Sequence, residues 1–398
     1  MNVYSLRTAT WVSATVVTAS VLGAAGCTSS SSSSSTSSSS SSSSTSASAS
    51  ASATGSPAAG AANSGLSLKQ LVLGTTLKHS FQPNGKGAMK SESLSQPDDM
   101  VTLGGNLYVG FQNGVGSQGE VSTSGNLDST LAEFTPTGSL VKQWDVKGKI
   151  DGMGADSATG QVFATVNEDA NTSLYTVSGG TVTHYTYTPS LPHLGGTDAV
   201  AVSNGKILIS ASAPGTSGKA PASAPAVYTV TLNAGTKTAK VAPFYADNAT
   251  ATVVNTGQKT ALALTDPDSS AVVPTSSPAF AGDYALDSQG DLEMIFSGAS
   301  GQNLQVLKLA QSVDDFAWAT SATGSLYTTD SGANTVDVLT GTFTPGTVYT
   351  AVTPCNANSA AATCATPNYL GTIDLKTGKI GTVAVNGPVQ PKGMIFVP

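Results

Sequence analysis

Residues 151–166 read DGMGADSATGQVFATV, and the prediction of the fold starts from this stretch. A short run opened by Asp151 leads into a tight turn at Thr159-Gly160, and a second run rich in β-forming residues follows. Short runs that flank a glycine turn in this way predict a β-hairpin. No long segment of the chain spaces its apolar residues at helical intervals, so the sequence predicts an all-β protein.

The same strand–turn–strand unit occurs four more times. The other copies read DDMVTLGGNLYVGF from Asp98, TDAVAVSNGKILISA from Thr197, DNATATVVNTGQKTALAL from Asp247 and VDDFAWATSATGSLYTT from Val313. Counted between Asp98, Asp151, Asp198, Asp247 and Asp314, the intervals are 53, 47, 49 and 67 residues. Two further β-rich runs follow the hairpin in most units, and four strands per roughly 40–50 residues is the period of a β-propeller blade.

The two ends of the repeated region resemble each other. QPKGMIFVP from Gln390 is similar to QPDDMVTL from Gln96, which predicts a ring closed by one blade built from both chain ends. Its innermost strand would be the last one, with LKQLVLG, TTLKHSF and AMKSESL outside it. We therefore expect a six-bladed β-propeller over residues 66–398. A seventh blade within residues 341–385 and a pair of tandem β-sandwiches remain as alternatives, and the common order of the repeats favours the propeller.

These units resemble the six-bladed propellers of the NHL, TolB-like and SMP-30/gluconolactonase group, most clearly in DGMGADSATGQVFATVNED from Asp151. The resemblance covers most of residues 96–398 and implies an architecture more than an activity. In the lactonase branch a metal at the channel mouth is held by Glu, Asn and Asp. The early Glu-Gly-Pro motif of that branch is missing here, where Gln96-Pro97-Asp98 stands, although Asn167, Glu168 and Asp266 would offer similar ligands.

In a propeller, the turns that lead into the innermost strands and those that leave the second strands open on one face. This predicts an acidic mouth around the central channel. Its strand-opening members are Asp98, Asp99, Asp151, Asp198, Asp247, Asp314 and Asp315, and the second-strand ends add Gln112, Asn113, Asn167, Glu168, Asp169, Asp266, Asp268 and Asp330. Converging carboxylates either take up protons or bind a hard cation, and Ca²⁺ accepts six to eight oxygen ligands. The structural alternative is that each aspartate binds the backbone of its own turn or of a neighbouring blade.

The N-terminus predicts export. A short apolar segment with small residues ends at Cys27 and resembles a bacterial lipoprotein signal, although Ala24 stands where that family usually has leucine. We expect a signal peptide over residues 1–26, a lipid on Cys27, a disordered Ser/Ala-rich tether over residues 27–65, and anchoring outside the cytoplasm. The alternative is ordinary signal cleavage near Ala25 and full secretion.

The cysteines and the net charge limit the predicted cross-links and partners of the protein. With Cys27 lipidated, Cys355 and Cys364 form a predicted disulfide outside the cytosol, against two free thiols. A net charge of −7 argues against a nucleic acid partner. Two functions stay open: a binding or scaffold module that engages a small molecule or a protein at the acidic mouth, and a Ca²⁺-dependent hydrolase of lactones or related esters. Glu168 and Asp266 would be ligand or base candidates in the second.

Overall fold

The computed structural model describes residues 65–191, 196–212, 224–356 and 365–398. Cys27, His193 and Cys364 lie outside this part, together with the signal segment and nearly all of the Ser-rich tether. The lipid and the Cys355–Cys364 disulfide therefore stay predictions. Within the described residues the chain is all-β apart from short 3₁₀ turns at Gly74–Thr76 and Pro83–Gly85, and none of its helices is long and apolar enough to cross a membrane.

The first half of the fold follows the chain order of the repeats. Strands β1 (Leu66–Leu73), β2 (Lys78–Phe81) and β3 (Lys90–Ser93) come first. Blade 1 consists of β4 (Pro97–Leu103), β5 (Asn106–Phe111), β6 (Asp128–Phe134) and β7 (Leu140–Lys147). Blade 2 consists of β8 (Ile150–Asp156), β9 (Gln161–Val166), β10 (Ser173–Ser178) and β11 (Thr181–Thr188). Blade 3 consists of β12 (Val200–Ser203), β13 (Lys206–Ser210), β14 (Pro225–Asn233) and β15 (Thr238–Ala246). Within each blade the strands are antiparallel and follow one another outward from the first. The outer strands β11 and β15 pair in parallel, which joins blades 2 and 3 into one eight-stranded sheet.

Blade 4 corrects the predicted fourth unit. Its strands are β16 (Thr250–Val253), β17 (Lys259–Ala261), β18 (Pro267–Val272), β19 (Tyr284–Ser288), β20 (Glu293–Ser297) and β21 (Gln305–Lys308). The order is β18-β19-β20-β21-β16-β17, so the hairpin that follows Asp247 is the outer edge and β18 is innermost. Burial explains this order, because β19 and β20 are buried at every residue whereas β16 and β17 alternate with exposed positions.

The C-terminal third corrects the fifth unit and forms the closure. Its strands are β22 (Val313–Trp318), β23 (Ser325–Asp330), β24 (Thr335–Thr340), β25 (Val348–Val352), β26 (Tyr369–Ile373), β27 (Ile380–Thr382), β28 (Val385–Asn386) and β29 (Met394–Val397). Strand β22 pairs with β25 rather than with β23, which gives blade 5 the order β22-β25-β26-β27. The closing blade has the order β29-β23-β24-β1-β28, so the last strand is innermost and an N-terminal strand lies outside, as predicted. Strands β2 and β3 instead pair with each other.

The innermost strands define the architecture. β4, β8, β12, β18, β22 and β29 neighbour one another in that order, and β29 returns to β4. Apolar side chains fill the spaces between sheets; between blades 1 and 2, for example, Tyr108 and Leu131 pack with Ile150 and Val162. This cyclic arrangement is a β-propeller, and it brings the first residues of the innermost strands together around one channel.

Candidate functional site

Aspartates open five of the innermost strands and meet around the channel. The five are Asp98, Asp151, Asp198, Asp268 and Asp314, and we call them the aspartate ring. All five line a cavity of about 350 Å³, which lies at the lower end of the 300–1,000 Å³ range of small-molecule pockets. Asp98, Asp151 and Asp198 are only 4%, 6% and 5% exposed. The predicted convergence of strand-opening carboxylates is therefore present in the structure, with Asp268 rather than Asp247 as the member from blade 4.

The sixth position of the ring is a lysine. Lys392 lies two residues before the last innermost strand, and its Nζ lies 2.8 Å from Asp98 Oδ1 and 3.3 Å from Asp314 Oδ1. Burial disfavours its charge, but Asp314, Asp98 and Asp268 outweigh burial and raise the pKa of Lys392 well above its ordinary value. The sequence carried the signal, because Pro391-Lys392 aligns with Pro97-Asp98 in the two similar segments.

A second lysine neutralises the next part of the ring. Lys149 Nζ lies 2.8 Å from Asp151 Oδ1 and 2.6 Å from Glu168 Oε1, and these carboxylates raise its pKa although burial opposes the charge. Gln112 Nε2 donates to Asp98 Oδ2 at 2.8 Å and to Asp151 Oδ1 at 3.1 Å. Asp98 and Asp151 are therefore each held by a cation and an amide. Glu168, predicted as a ligand or base, is one half of an ion pair.

Within the described part of the chain, neither Asp198 nor Asp268 forms an ion pair, although Lys392 lowers the pKa of both from a longer distance. Their side chains share a hydrogen bond, and burial followed by neighbouring carboxylates raises the pKa of both well above the ordinary aspartate value. A hydrogen bond between two carboxyl groups needs a proton on one of them, because an ionised carboxylate only accepts. The two groups titrate as a coupled pair, and the raised pKa of both favours the protonated form that this hydrogen bond needs. We call Asp151, Asp198 and Asp268 the open arc, since Asp151 Oδ2 and Asp268 Oδ2 also have no hydrogen-bond partner in the described part of the chain.

Two of the predicted mouth residues link blades instead. Asp99 accepts hydrogen bonds from the backbone N–H groups of Met100 and Met153, and Asp315 accepts them from Phe316 and Met394. Met153 and Met394 lie on the next innermost strand around the ring. Burial raises the pKa of Asp315 to about 7 against these hydrogen bonds. Asp99 and Asp315 also line the cavity, while their carboxylates accept these backbone hydrogen bonds from the next blade.

In other blades, hydroxyl groups on the second strand link a blade to the innermost strand of the next one. Thr329 accepts a hydrogen bond from Gly393 N–H at 2.8 Å and donates to the backbone carbonyl of Asp98. Thr165 does the same between Gly152 N–H and Asp198 O, and Ser210 between Ala199 N–H and Pro267 O. In blade 2, Thr165 faces Gly152, which lies in a β-bulge between Ile150 and Met153 of the innermost strand. A side chain on Gly152 would place its Cβ 2.0 Å from Asp198 O. The register of the ring is thus fixed by contacts between blades.

The remaining predicted residues do not line the cavity. Asn167 uses its amide on the backbone, accepting from Lys149 N–H at 2.9 Å and donating to Asn171 O at 3.0 Å. Asp330 accepts from Ala333 N–H and Gln390 N–H at 2.8 and 2.9 Å. The pKa of Asp266 is raised to about 6 by burial and by nearby carboxylates. Asp247 precedes β16, an outer strand of blade 4, and is not among the residues that line the cavity.

The predicted Ca²⁺ does not find a preformed site in this geometry. Across residues 65–191, 196–212, 224–356 and 365–398, no three His, Cys, Asp or Glu side chains are grouped closely enough to hold a metal ion. Two of the metal ligands suggested by the lactonase resemblance have other partners. The Asn167 amide is hydrogen-bonded to the backbone, and Glu168 forms an ion pair with Lys149.

The geometry defines the class of protein as a β-propeller with an acidic central channel. No family model matches the chain, and a search of curated proteins gives no match. Solved structures that share the overall arrangement include a nidogen/laminin complex (10% identity, 83% of this chain and 98% of that chain, TM-score 0.45). Virginiamycin B lyase from Staphylococcus aureus (10% identity, 82% and 92%, TM-score 0.41) and a luciferin-regenerating enzyme (13%, 68% and 86%, TM-score 0.35) are further examples. The fold assignment here rests on the strand order of the protein itself.

Proposed function

We propose that this protein is an exported six-bladed propeller, tethered to a membrane through Cys27, that binds a small molecule in its central channel. The observation that carries the proposal is the cavity of about 350 Å³ with buried, charged groups at one end and an apolar wall along the innermost strands. Small-molecule sites combine such apolar walls with a few placed polar groups. The ring of six innermost strands supports the count of six blades.

Binding is favoured over hydrolysis by what surrounds the channel. Glu168 and Asp266, the base candidates of the hydrolase hypothesis, do not line the cavity. The histidines in the described part of the chain, His79 and His184, do not line it either. Most charged groups of the ring are engaged with each other, which suits a preorganised recognition surface more than a group that must gain and lose protons during turnover.

The test is a screen of small molecules by thermal shift and calorimetry with a variant that obstructs the channel. Val272 lines the cavity and is 39% exposed, so Val272→Trp is expected to block binding without disturbing the core. Val141 is 51% exposed on an outer strand, and Val141→Trp is the matched control. Ligands that bind both variants equally, or lactone turnover that a chelator abolishes, would overturn the proposal.

The anchor is tested separately. Intact-mass measurement of the protein from the membrane fraction is expected to show a diacylglyceryl adduct on Cys27, and Cys27→Ser is expected to move the protein to the soluble fraction. An unmodified N-terminus near Ala25 in membrane-associated protein would contradict anchoring through Cys27.

A further inference from the structure

We infer that the open arc of Asp151, Asp198 and Asp268 binds the ammonium group of an amphiphilic organic amine whose apolar part lies along the channel. This inference rests on the proposed small-molecule function and names its ligand class. Asp151 is 6% exposed, lines the cavity, and keeps Oδ2 without a hydrogen-bond partner among the described residues. A buried carboxylate oxygen without a donor is costly, and an ammonium supplies three donors.

The distribution of charge selects this arc. The aspartate ring contributes five carboxyl groups, and Lys392 pairs with the two that flank it, Asp98 and Asp314. Lys149 divides its charge between Asp151 and Glu168. Asp198 and Asp268 form no ion pair within the described residues, and the attraction of Lys392 only partly offsets the rise in their pKa. Negative charge that the protein does not balance is therefore concentrated where the open arc lies.

The proton between Asp198 and Asp268 gives the site a measurable signature. In the free protein, burial and neighbouring carboxylates raise the pKa of both groups and so favour a protonated carboxyl group that donates to the other. When R–NH₃⁺ enters, its N–H groups replace that donor, both carboxyl groups become carboxylates, and one proton passes to the solvent. Cation binding and proton release are thus linked with a stoichiometry of about one near neutral pH.

The walls of the cavity exclude the main alternatives. Beyond the ring, the lining includes Val101, Ala155, Val202, Val272, Trp318 and Phe396, which accept an alkyl or aryl group and offer nothing to a bare ion. A divalent metal needs closely converging oxygen ligands, and no such group of three exists in the described ranges. An anionic head group would meet four more carboxylates than lysines in the ring.

The experiment is isothermal titration calorimetry of the full chain with hexylammonium, with hexanol and hexanoate as size-matched probes. Titrations in two buffers of different ionisation enthalpy count the protons released. We expect hexylammonium to bind more tightly than either probe and to release about one proton per molecule. Equal affinity for hexanol, or hexylammonium binding without proton release, would overturn the inference.

The variant Asp268→Asn keeps the site folded, because the amide can donate to Asp198 as the protonated carboxyl does. It is expected to weaken hexylammonium binding by at least about tenfold and to abolish proton release. Asp169→Asn removes one exposed carboxylate away from the cavity and is expected to change neither quantity. If Val272→Trp blocks ligands while Asp268→Asn leaves amine affinity and proton release unchanged, the channel function stands and the amine site is wrong; if no probe binds, both fail.

Discussion

Asp287 is expected to destabilise the protein, and replacing it with threonine should make the fold more stable. Asp287 is 0% exposed, and neither carboxyl oxygen has a hydrogen-bond partner within the described residues. The strand register places it where Thr165 and Thr329 stand in other blades. Those hydroxyl groups both accept from a bulge N–H and donate to the next blade, whereas an ionised carboxylate can only accept.

The magnitude follows from the cost of a buried polar group without a partner, about 1–3 kcal/mol. Asp287→Thr should therefore raise the free energy of unfolding by about 1–3 kcal/mol at pH 7. Burial, and then Asp266 and other carboxylates, raise the pKa of Asp287 well above its ordinary value. The folded protein therefore binds this proton more tightly than the unfolded chain does, so the cost of Asp287 grows as pH rises above the unfolded aspartate pKa and is lost below it.

Urea unfolding of the wild type and of Asp287→Thr at pH 7 and near pH 4 measures this difference, and the titration of the other carboxylates cancels between the two proteins. The gain should be largest at pH 7 and shrink towards pH 4. The reverse change Thr165→Asp is the matched control and should destabilise the protein at pH 7. A loss of stability in Asp287→Thr, or a gain of equal size at both pH values, would refute the reasoning.

Two further variants and one mapping experiment test the charge network, the buried histidine and the predicted Cys355–Cys364 disulfide. Lys392→Met leaves Asp98 and Asp314 without their cation and should cost about 1–3 kcal/mol, less than a fully buried pair because the Lys392 side chain is 35% exposed; urea unfolding against the exposed control Lys376→Met measures it, and equal effects would argue against the ion pairs. The side chain of His79 is fully buried, with Nε2 3.2 Å from Glu92 Oε1 and Nδ1 3.5 Å from Asp145 Oδ1. Its pKa is raised because these carboxylates outweigh burial, so the stabilisation is present below pH 6.5 and lost as pH rises through the folded pKa. His79→Gln should therefore cost about 1 kcal/mol at pH 5.5 and less at pH 8, and a pH-independent difference in unfolding midpoint would contradict this. Non-reducing peptide mapping should recover Cys355 linked to Cys364, and alkylation of both thiols before reduction would contradict the disulfide.

The sequence was sufficient for the class of fold and for much of the ring. Alternating runs around glycine turns identified the hairpins, and the similarity of residues 96–103 to the C-terminus identified the closure. Asp98, Asp151, Asp198 and Asp314 were found because an aspartate opens each of those strands. These features are local in the chain, so they can be recognised without tertiary contacts.

What the sequence could not show depends on contacts distant in the chain. The hairpin after Asp247 has the same alternation and glycine turn as an innermost hairpin, and only burial on both faces distinguishes β19 and β20 from it. The run from Ser325 follows β22 in the chain and looks like its partner, yet it pairs with β29. Either neighbour would satisfy its backbone hydrogen bonds, so the local sequence does not distinguish them. Lys149 was missed since its partner Glu168 lies 19 residues further along and faces it only in the folded blade.

Stability and ligand binding make opposite demands on the aspartate ring. Burying several carboxyl groups at one end of a channel is unfavourable unless each is paired, and Lys392 and Lys149 pair with Asp98, Asp314 and Asp151. Asp198 and Asp268 are left to share a proton, which costs stability that a neutral amide would recover. If the open arc serves a ligand, Asp268→Asn should raise the free energy of unfolding while it lowers affinity for the amine, and this opposition of signs is typical of residues retained for binding rather than for folding. A variant that lost both stability and amine binding would instead point to a structural role for the pair.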